Sequence, residues 1–88
     1  MLKTNRTTQF KKEYKLAAKR GFDLELLKEA ARDLAEQKPL AEKYKDHPLT
    51  GKYKGSRELH ILPDWLLVYK IKNNMLVLER TGSHSDLF

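Results

Sequence analysis

Between Trp65 and Leu78 the chain reads WLLVYKIKNNMLVL, and no other stretch limits its possible folds as strongly. Trp65–Ile71 and Met75–Leu78 are rich in β-branched and aromatic residues and are apolar at successive positions. Strands of that kind are either covered on both faces, or covered on one and functional on the other. Lys72-Asn73-Asn74 between them is polar and tolerant of left-handed backbone, as the turn of a hairpin requires. Around this hairpin stand His60, Asp64, Arg80 and His84, most of the side chains suited to proton or phosphate chemistry. Polar groups clustered at the ends of apolar strands form the pattern of an active site.

The rest of the chain supplies what such a hairpin packs against. Met1–Asn5 is a short edge strand or a ragged end. Thr7 and Thr8 can cap a helix reaching about Arg20, with Phe10, Tyr14, Ala17 and Ala18 at helical spacing. Lys11, Lys12, Glu13, Lys15 and Lys19 fall on its other face, and Gly21 stops it. Asp23 caps a second helix whose inner stripe is Leu24, Leu27, Ala31 and Leu34, and Pro39 bounds it. Both stripes read as core and the lysines as a solvated face that could steer the domain to a phosphate backbone. From Tyr44 to Gly55 periodicity is lost in a basic, aromatic loop suited to backbone contact and base stacking, and carrying His47, Lys45, Lys52 and Lys54. Arg57–Leu62 is the next strand, with Leu59 and Ile61 on one face and Glu58, His60 and Leu62 on the other. The order strand, helix, helix, then three antiparallel strands gives one α+β domain over residues 1–88. Its helix pair covers one face of a small antiparallel sheet and leaves the other for a substrate.

Composition narrows the function classes. A net charge of +6 favours a polyanionic partner. The absence of cysteine excludes disulfides and thiolate metal sites. No apolar run approaches a membrane span and the N-terminus lacks a signal-peptide core, so a cytoplasmic protein is expected.

The segments Tyr44-Lys45-Asp46-His47-Pro48-Leu49, Arg57-Glu58-Leu59-His60, Pro63-Asp64-Trp65, Glu79-Arg80-Thr81-Gly82-Ser83-His84 and the terminal Leu87-Phe88 form a spaced set. That set resembles the YafQ-type toxins of the RelE/ParE superfamily, the bacterial endoribonucleases of type II toxin–antitoxin pairs. The resemblance implies a RelE-like, microbial-RNase-type fold and cleavage of mRNA, typically on the translating ribosome. It also implies neutralisation by a small antitoxin; no cofactor or metal is expected. The catalytic set it implies is His47, His60, Asp64, Arg80 and His84, with Trp65 and Phe88 as supporting contacts.

The chemistry suits that set. Metal-free RNA cleavage needs a base for the ribose 2′-OH, an acid for the departing 5′-oxygen, and positive charge on the phosphorane. Histidine can serve as either acid or base, and Asp64 can act as base or orient a neighbouring imidazole. Arg80 offers phosphate a planar fork, and Trp65 and Phe88 offer stacking surfaces for bases. His84, beside that arginine, is the preferred acid. Two other readings compete. One is a non-enzymatic toxin that binds DNA gyrase, as in the ParE branch, for which three histidines and Asp64 are superfluous. The other is a metal-dependent hydrolase, which no His-x-His or His-x-x-x-His spacing supports.

Overall fold

Asn73 and Asn74 both adopt positive φ, 53° and 61°. That is the two-residue turn whose twist matches a right-handed hairpin, and it closes the central pair of strands. The computed structural model describes residues 1–88. In chain order it contains β1 (Lys3–Arg6), α1 (Thr8–Lys19), α2 (Leu24–Ala35), β2 (His47–Pro48), β3 (Arg57–Leu62), β4 (Trp65–Lys72), β5 (Met75–Gly82) and α3 (His84–Leu87). The strands form one sheet in the order β1-β5-β4-β3-β2.

Strands β2 to β5 pair antiparallel, as the sequence predicts, but β1 runs parallel to β5 from Lys3↔Met75 to Arg6↔Leu78. The sheet is therefore mixed. Adjacent hairpin strands are antiparallel by their connection, whereas β1 meets β5 only after the intervening chain has crossed the sheet. A second departure lies in the basic loop, where His47 and Pro48 form a short strand opposite Glu58 and Arg57.

The caps form where the sequence places them. The Thr7 hydroxyl accepts the N–H of Phe10 at 3.0 Å and donates to the Glu79 carbonyl at 2.8 Å, tying the start of α1 to β5. Asp23 caps α2 through the N–H of Glu25. On the helix face, Phe10, Ala17, Leu27, Ala30 and Leu34 bury against Leu59, Trp65, Leu67, Tyr69, Leu76 and Leu78. Truncating one such leucine to alanine costs about 2–5 kcal/mol.

The opposite face carries only a small apolar cluster, Leu66 and Val68 under Leu87 of α3, flanked by Leu49 and Tyr53. Its composition is decided by a β-bulge. Tyr69 pairs with Leu78 but Val68 pairs with Arg80, so Glu79 is an extra residue on β5. Without it, alternation would send Arg80 to the same face as Leu76 and Leu78. The bulge turns Arg80 to the Val68 face instead.

Candidate active site

Register now fixes a polar row. His47 lies opposite Glu58, Glu58 opposite Val68, and Val68 opposite Arg80, so all four share the face away from the helices. His60 follows Glu58 by two residues on the same face, opposite Leu66, which itself lies opposite Gly82. The chain then doubles back. Gly82 approaches Asp86 so closely that a Cβ there would sit 3.0 Å from the Asp86 Cβ, so only glycine fits without displacement. Ser83 and Asp86 form a reciprocal capping box that starts α3. Asp86 also meets Arg20 at 2.8 Å, and these contacts hold its carboxyl down to about 2, Arg20 first and the Ser83 N–H next. The stretch after β5 is thus a capped helical turn that carries His84 over the row.

Three imidazoles converge there. Ring centroids are 6.2 Å apart for His47 and His60, and 5.7 Å for His60 and His84. Glu58 sits beneath them with its side chain only 6% exposed. One of its oxygens is 2.9 Å from His47 Nε2 and the other 3.7 Å from His84 Nε2. His47 Nδ1 donates to the Lys45 carbonyl at 2.7 Å. His60 Nδ1 donates to the Pro63 carbonyl at 3.2 Å, so in the neutral ring Nε2 carries the lone pair. His84 Nδ1 is 3.5 Å from Asp64, whose carboxylate also accepts the His84 backbone N–H at 3.3 Å.

The β2 segment is held from the other side of the sheet. Asp46 pairs with Arg57 at 2.9 Å and accepts the Tyr69 hydroxyl. Burial first, and Asp46 second, push the Tyr69 phenol upward, while the hydrogen bond to Asp46 raises Arg57. His47 is thereby delivered from an anchored strand.

Arg80 lies in the same row, on the part of β5 beyond its last pair with β1, Arg6↔Leu78, so it stands at the sheet's edge as its position at the end of an apolar strand suggests. Its guanidinium binds the Glu13 carboxylate of α1 and the Tyr53 hydroxyl. Glu13, above all, raises its proton affinity further. Phe88 is 57% exposed and packs edge-on against Tyr53 at 5.4 Å, with His84 at 6.2 Å on its other side.

Trp65 is a correction. It is 2% exposed on the helix face, packs at a tilt against Phe22 with ring centroids 4.9 Å apart, and donates its indole N–H to Thr81 at 2.9 Å. A side chain so enclosed offers no surface to a base. Trp65 follows Asp64 in sequence, but alternation with Leu67 and Tyr69 assigns it to the core. The basic residues divide. Lys45 borders a cavity of about 300 Å³ beside His60. Lys52 lies over the Tyr53 ring at 5.8 Å. Lys54 stands apart, with Lys70 and Lys72 near the far end of β4.

Three site residues escape the sequence reading. Glu58 had a usable signal, since it shares the non-apolar strand face with His60. Tyr53 and Glu13 had none, because each acquires its role through Arg80, which is distant in sequence. Metal chemistry has a possible seat as well. His47, Glu58 and His60 offer ligand atoms all within 4.8 Å of one another, a donor set compatible with a late transition metal.

A family model described as a bacterial toxin of type II toxin–antitoxin system, YafQ, matches residues 2–88. The mRNA interferase toxin YafQ of Escherichia coli (strain K12) is 47% identical over 81 residues, covering 91% of this chain and 88% of that protein. A metal-bound toxin from Helicobacter pylori superposes with a TM-score of 0.94 at 52% identity, with both chains covered fully. A chain of the E. coli DinJ–YafQ toxin–antitoxin complex superposes with a TM-score of 0.90 at 42% identity, covering 100% of this chain and 99% of that one.

Proposed function

The chain belongs to the YafQ family of bacterial type II toxins, and from that premise we propose that it is an endoribonuclease that cuts mRNA without a metal ion. The ribose 2′-OH attacks the adjacent phosphate, and the chain's own side chains manage protons and charge. One observation carries this reading: His60 and His84 are neighbours whose nitrogens have different partners. His60 gives its Nδ1 proton to a carbonyl and keeps a lone pair on Nε2, which suits the base that takes the 2′-OH proton. His84 has a carboxylate oxygen near each ring nitrogen, Asp64 at 3.5 Å from Nδ1 and Glu58 at 3.7 Å from Nε2, so negative charge lies on both sides of the imidazole. That arrangement suits the acid that protonates the departing 5′-oxygen. Arg80 neutralises the phosphorane, His47 adds a donor held by Glu58, and Phe88 stacks on a base.

Translating ribosomes supply the substrate in this reading, which places the protein in the cytoplasm; no helix is long and apolar enough to cross a membrane. The partner that silences it is a small antitoxin, as DinJ is named alongside YafQ in the E. coli complex. With a toxin charge of +6, the antitoxin's contacting segment is acidic and its affinity falls as salt rises.

The test is His84→Ala assayed on RNA with and without ribosomes, and with EDTA present. The expected result is an intact fold, a loss of about a hundredfold or more in cleavage, and wild-type activity indifferent to EDTA. A folded variant with full activity removes the assigned acid. Wild-type cleavage abolished by EDTA favours instead a metal held by His47, Glu58 and His60.

A further inference from the structure

The guanidinium of Arg80 is already half engaged. Glu13 lies along one edge of it: Nε is 3.1 Å from both carboxylate oxygens, and Nη2 is 2.5 Å from Oε2. Oε1 also accepts the backbone N–H of Thr81 at 3.1 Å. At the other end, Nη1 donates to the Tyr53 hydroxyl at 3.1 Å. The Glu13 side chain is 11% exposed and that of Arg80 24%. A carboxylate so enclosed is stable only because donors surround it.

The fold explains why an acid stands there. Pairing between β1 and β5 stops at Arg6↔Leu78, and α1 takes over beside the remainder of β5. The N–H of Thr81 lies beyond the end of β1 and needs an acceptor from α1. Glu13 supplies it, and the bulge at Glu79 brings the Arg80 guanidinium to the same carboxylate.

Arginine has five N–H donors in a planar fork. With the Nε–Nη2 edge closed by Glu13, the edge left for an anionic oxygen pair is the one between Nη1 and Nη2. We propose that Glu13 is a positioning residue of the RNA-cleavage site, which fixes the rotation of the Arg80 guanidinium so that its Nη1–Nη2 edge meets the scissile phosphate. The inference rests on the reading of Arg80 as the phosphate-binding residue. It extends the site to a helix whose other residues are core or solvated surface. It also assigns Glu13 a purpose that electrostatics alone would argue against, since a carboxylate beside a phosphate site repels the substrate. Orientation outweighs that repulsion when the charge being stabilised develops only in the transition state, where a misplacement of about 1 Å costs about a hundredfold in rate.

The experiment compares Glu13→Ala, Glu13→Gln, Arg80→Ala and the double variant Glu13→Ala/Arg80→Ala in RNA cleavage, with RNA affinity and thermal midpoint measured for each. Glu13→Gln preserves packing volume and one acceptor, so it covers the case in which the alanine variant does not fold. The proposal expects kcat to fall about 10–100-fold in both Glu13 variants, with KM changed by less than about threefold. It also expects the double variant to be no slower than Arg80→Ala alone, because Glu13 acts only through that guanidinium. Effects that multiply in the double variant overturn it, since they show a merely structural role. So do wild-type kcat in both Glu13 variants, or tighter RNA binding with faster cleavage, which makes Glu13 a competitor of the phosphate. If Arg80→Ala is inactive while the Glu13 variants are normal, only the positioning role fails. If Arg80→Ala cleaves normally, the reading of Arg80 fails and takes the role of Glu13 with it.

Discussion

Leu87→Ala is expected to silence the enzyme by releasing its tail, not by unfolding it. Leu87 is 6% exposed and packs on Leu66 and Val68, in a cluster separate from the helix-face core. Truncating a buried leucine costs about 2–5 kcal/mol, and a terminal turn can relax, so the lower end applies, about 2–3 kcal/mol. No other contact of α3 is worth as much. The capping box contributes about 1 kcal/mol, the edge-on pair of Phe88 with Tyr53 about 0.5–1.5, and the Arg20–Asp86 pair less than about 1, with side chains 43% and 31% exposed. At 1.4 kcal/mol per tenfold, the lost burial lowers the ratio of docked to free tail by about 30–150-fold. His84 rides on that turn, so cleavage tracks the docked fraction; it falls by about tenfold or more if wild type favours docking by less than about 2–16 to 1, and by less if docking is tighter.

Amide exchange and cleavage, measured together, decide the matter. The N–H groups of Leu87 and Phe88 donate within the tail, to Ser83 and His84 at 3.1 and 2.8 Å, and should lose protection in the variant. Amides of β4 and β5 and the thermal midpoint should change little, because the larger core is untouched. Full cleavage with unprotected tail amides refutes the link between docking and activity. Retained protection refutes the assignment of docking to Leu87.

Three other outcomes follow from the geometry. Arg80→Lys keeps the charge but cannot reach Glu13, Tyr53 and phosphate together; turnover should fall by about tenfold or more while RNA affinity holds, and normal kinetics make Arg80 a surface cation. Trp65→Phe removes the indole N–H from Thr81, which still donates to the Leu66 carbonyl at 2.8 Å; denaturant titration should show a loss of about 1–3 kcal/mol with kcat per folded molecule unchanged, and lost RNA affinity in a folded variant returns Trp65 to the RNA surface. Asp86, held down to about 2, supports the docked tail above its unfolded value of about 3.9, and that support fades as pH falls from about 4 to 2; NMR titration of Asp86 should show the transition near 2 in wild type and a higher one in Arg20→Ala.

What the sequence reveals is what is local. Thr7 and Asp23 cap their helices, Asn73-Asn74 closes the hairpin, and the helical stripes lie in or against the core apart from Ala18, which is exposed, because each depends on neighbours within a few residues. The partnership of β1 with β5, the pairing of His47 with Glu58 and the bulge at Glu79 are non-local. The bulge matters most, since alternation counted from Leu76 and Leu78 assigns Arg80 to the wrong face. The same period-two rule, applied from Trp65 through Leu67 to Tyr69, assigns Trp65 to the core correctly. Proximity in sequence to Asp64 argues the opposite and misleads. Glu58 was legible by the rule that identifies His60. Glu13, three residues beyond Phe10 on α1, reads as helix surface until the bulge brings Arg80 to it.

The three histidines are held with unequal firmness, and that inequality follows from the fold. His60 sits on the six-residue strand β3, opposite Leu66 of β4 and two residues beyond Glu58, where the pairing with β2 ends. His47 sits on an edge strand of two residues, anchored by Asp46 to Arg57 and Tyr69. His84 depends on a four-residue helix seated by one leucine, a capping box and an exposed ion pair. Buried contacts fall away along that series, and local opening is easiest where they are fewest. A partial loss of stability therefore dismantles the site from its C-terminal end, parting His84 from Asp64 and Glu58 while His60 still faces His47. Glu58, buried under all three rings, is the element that outlasts the separation, because its strand belongs to the sheet rather than to the tail.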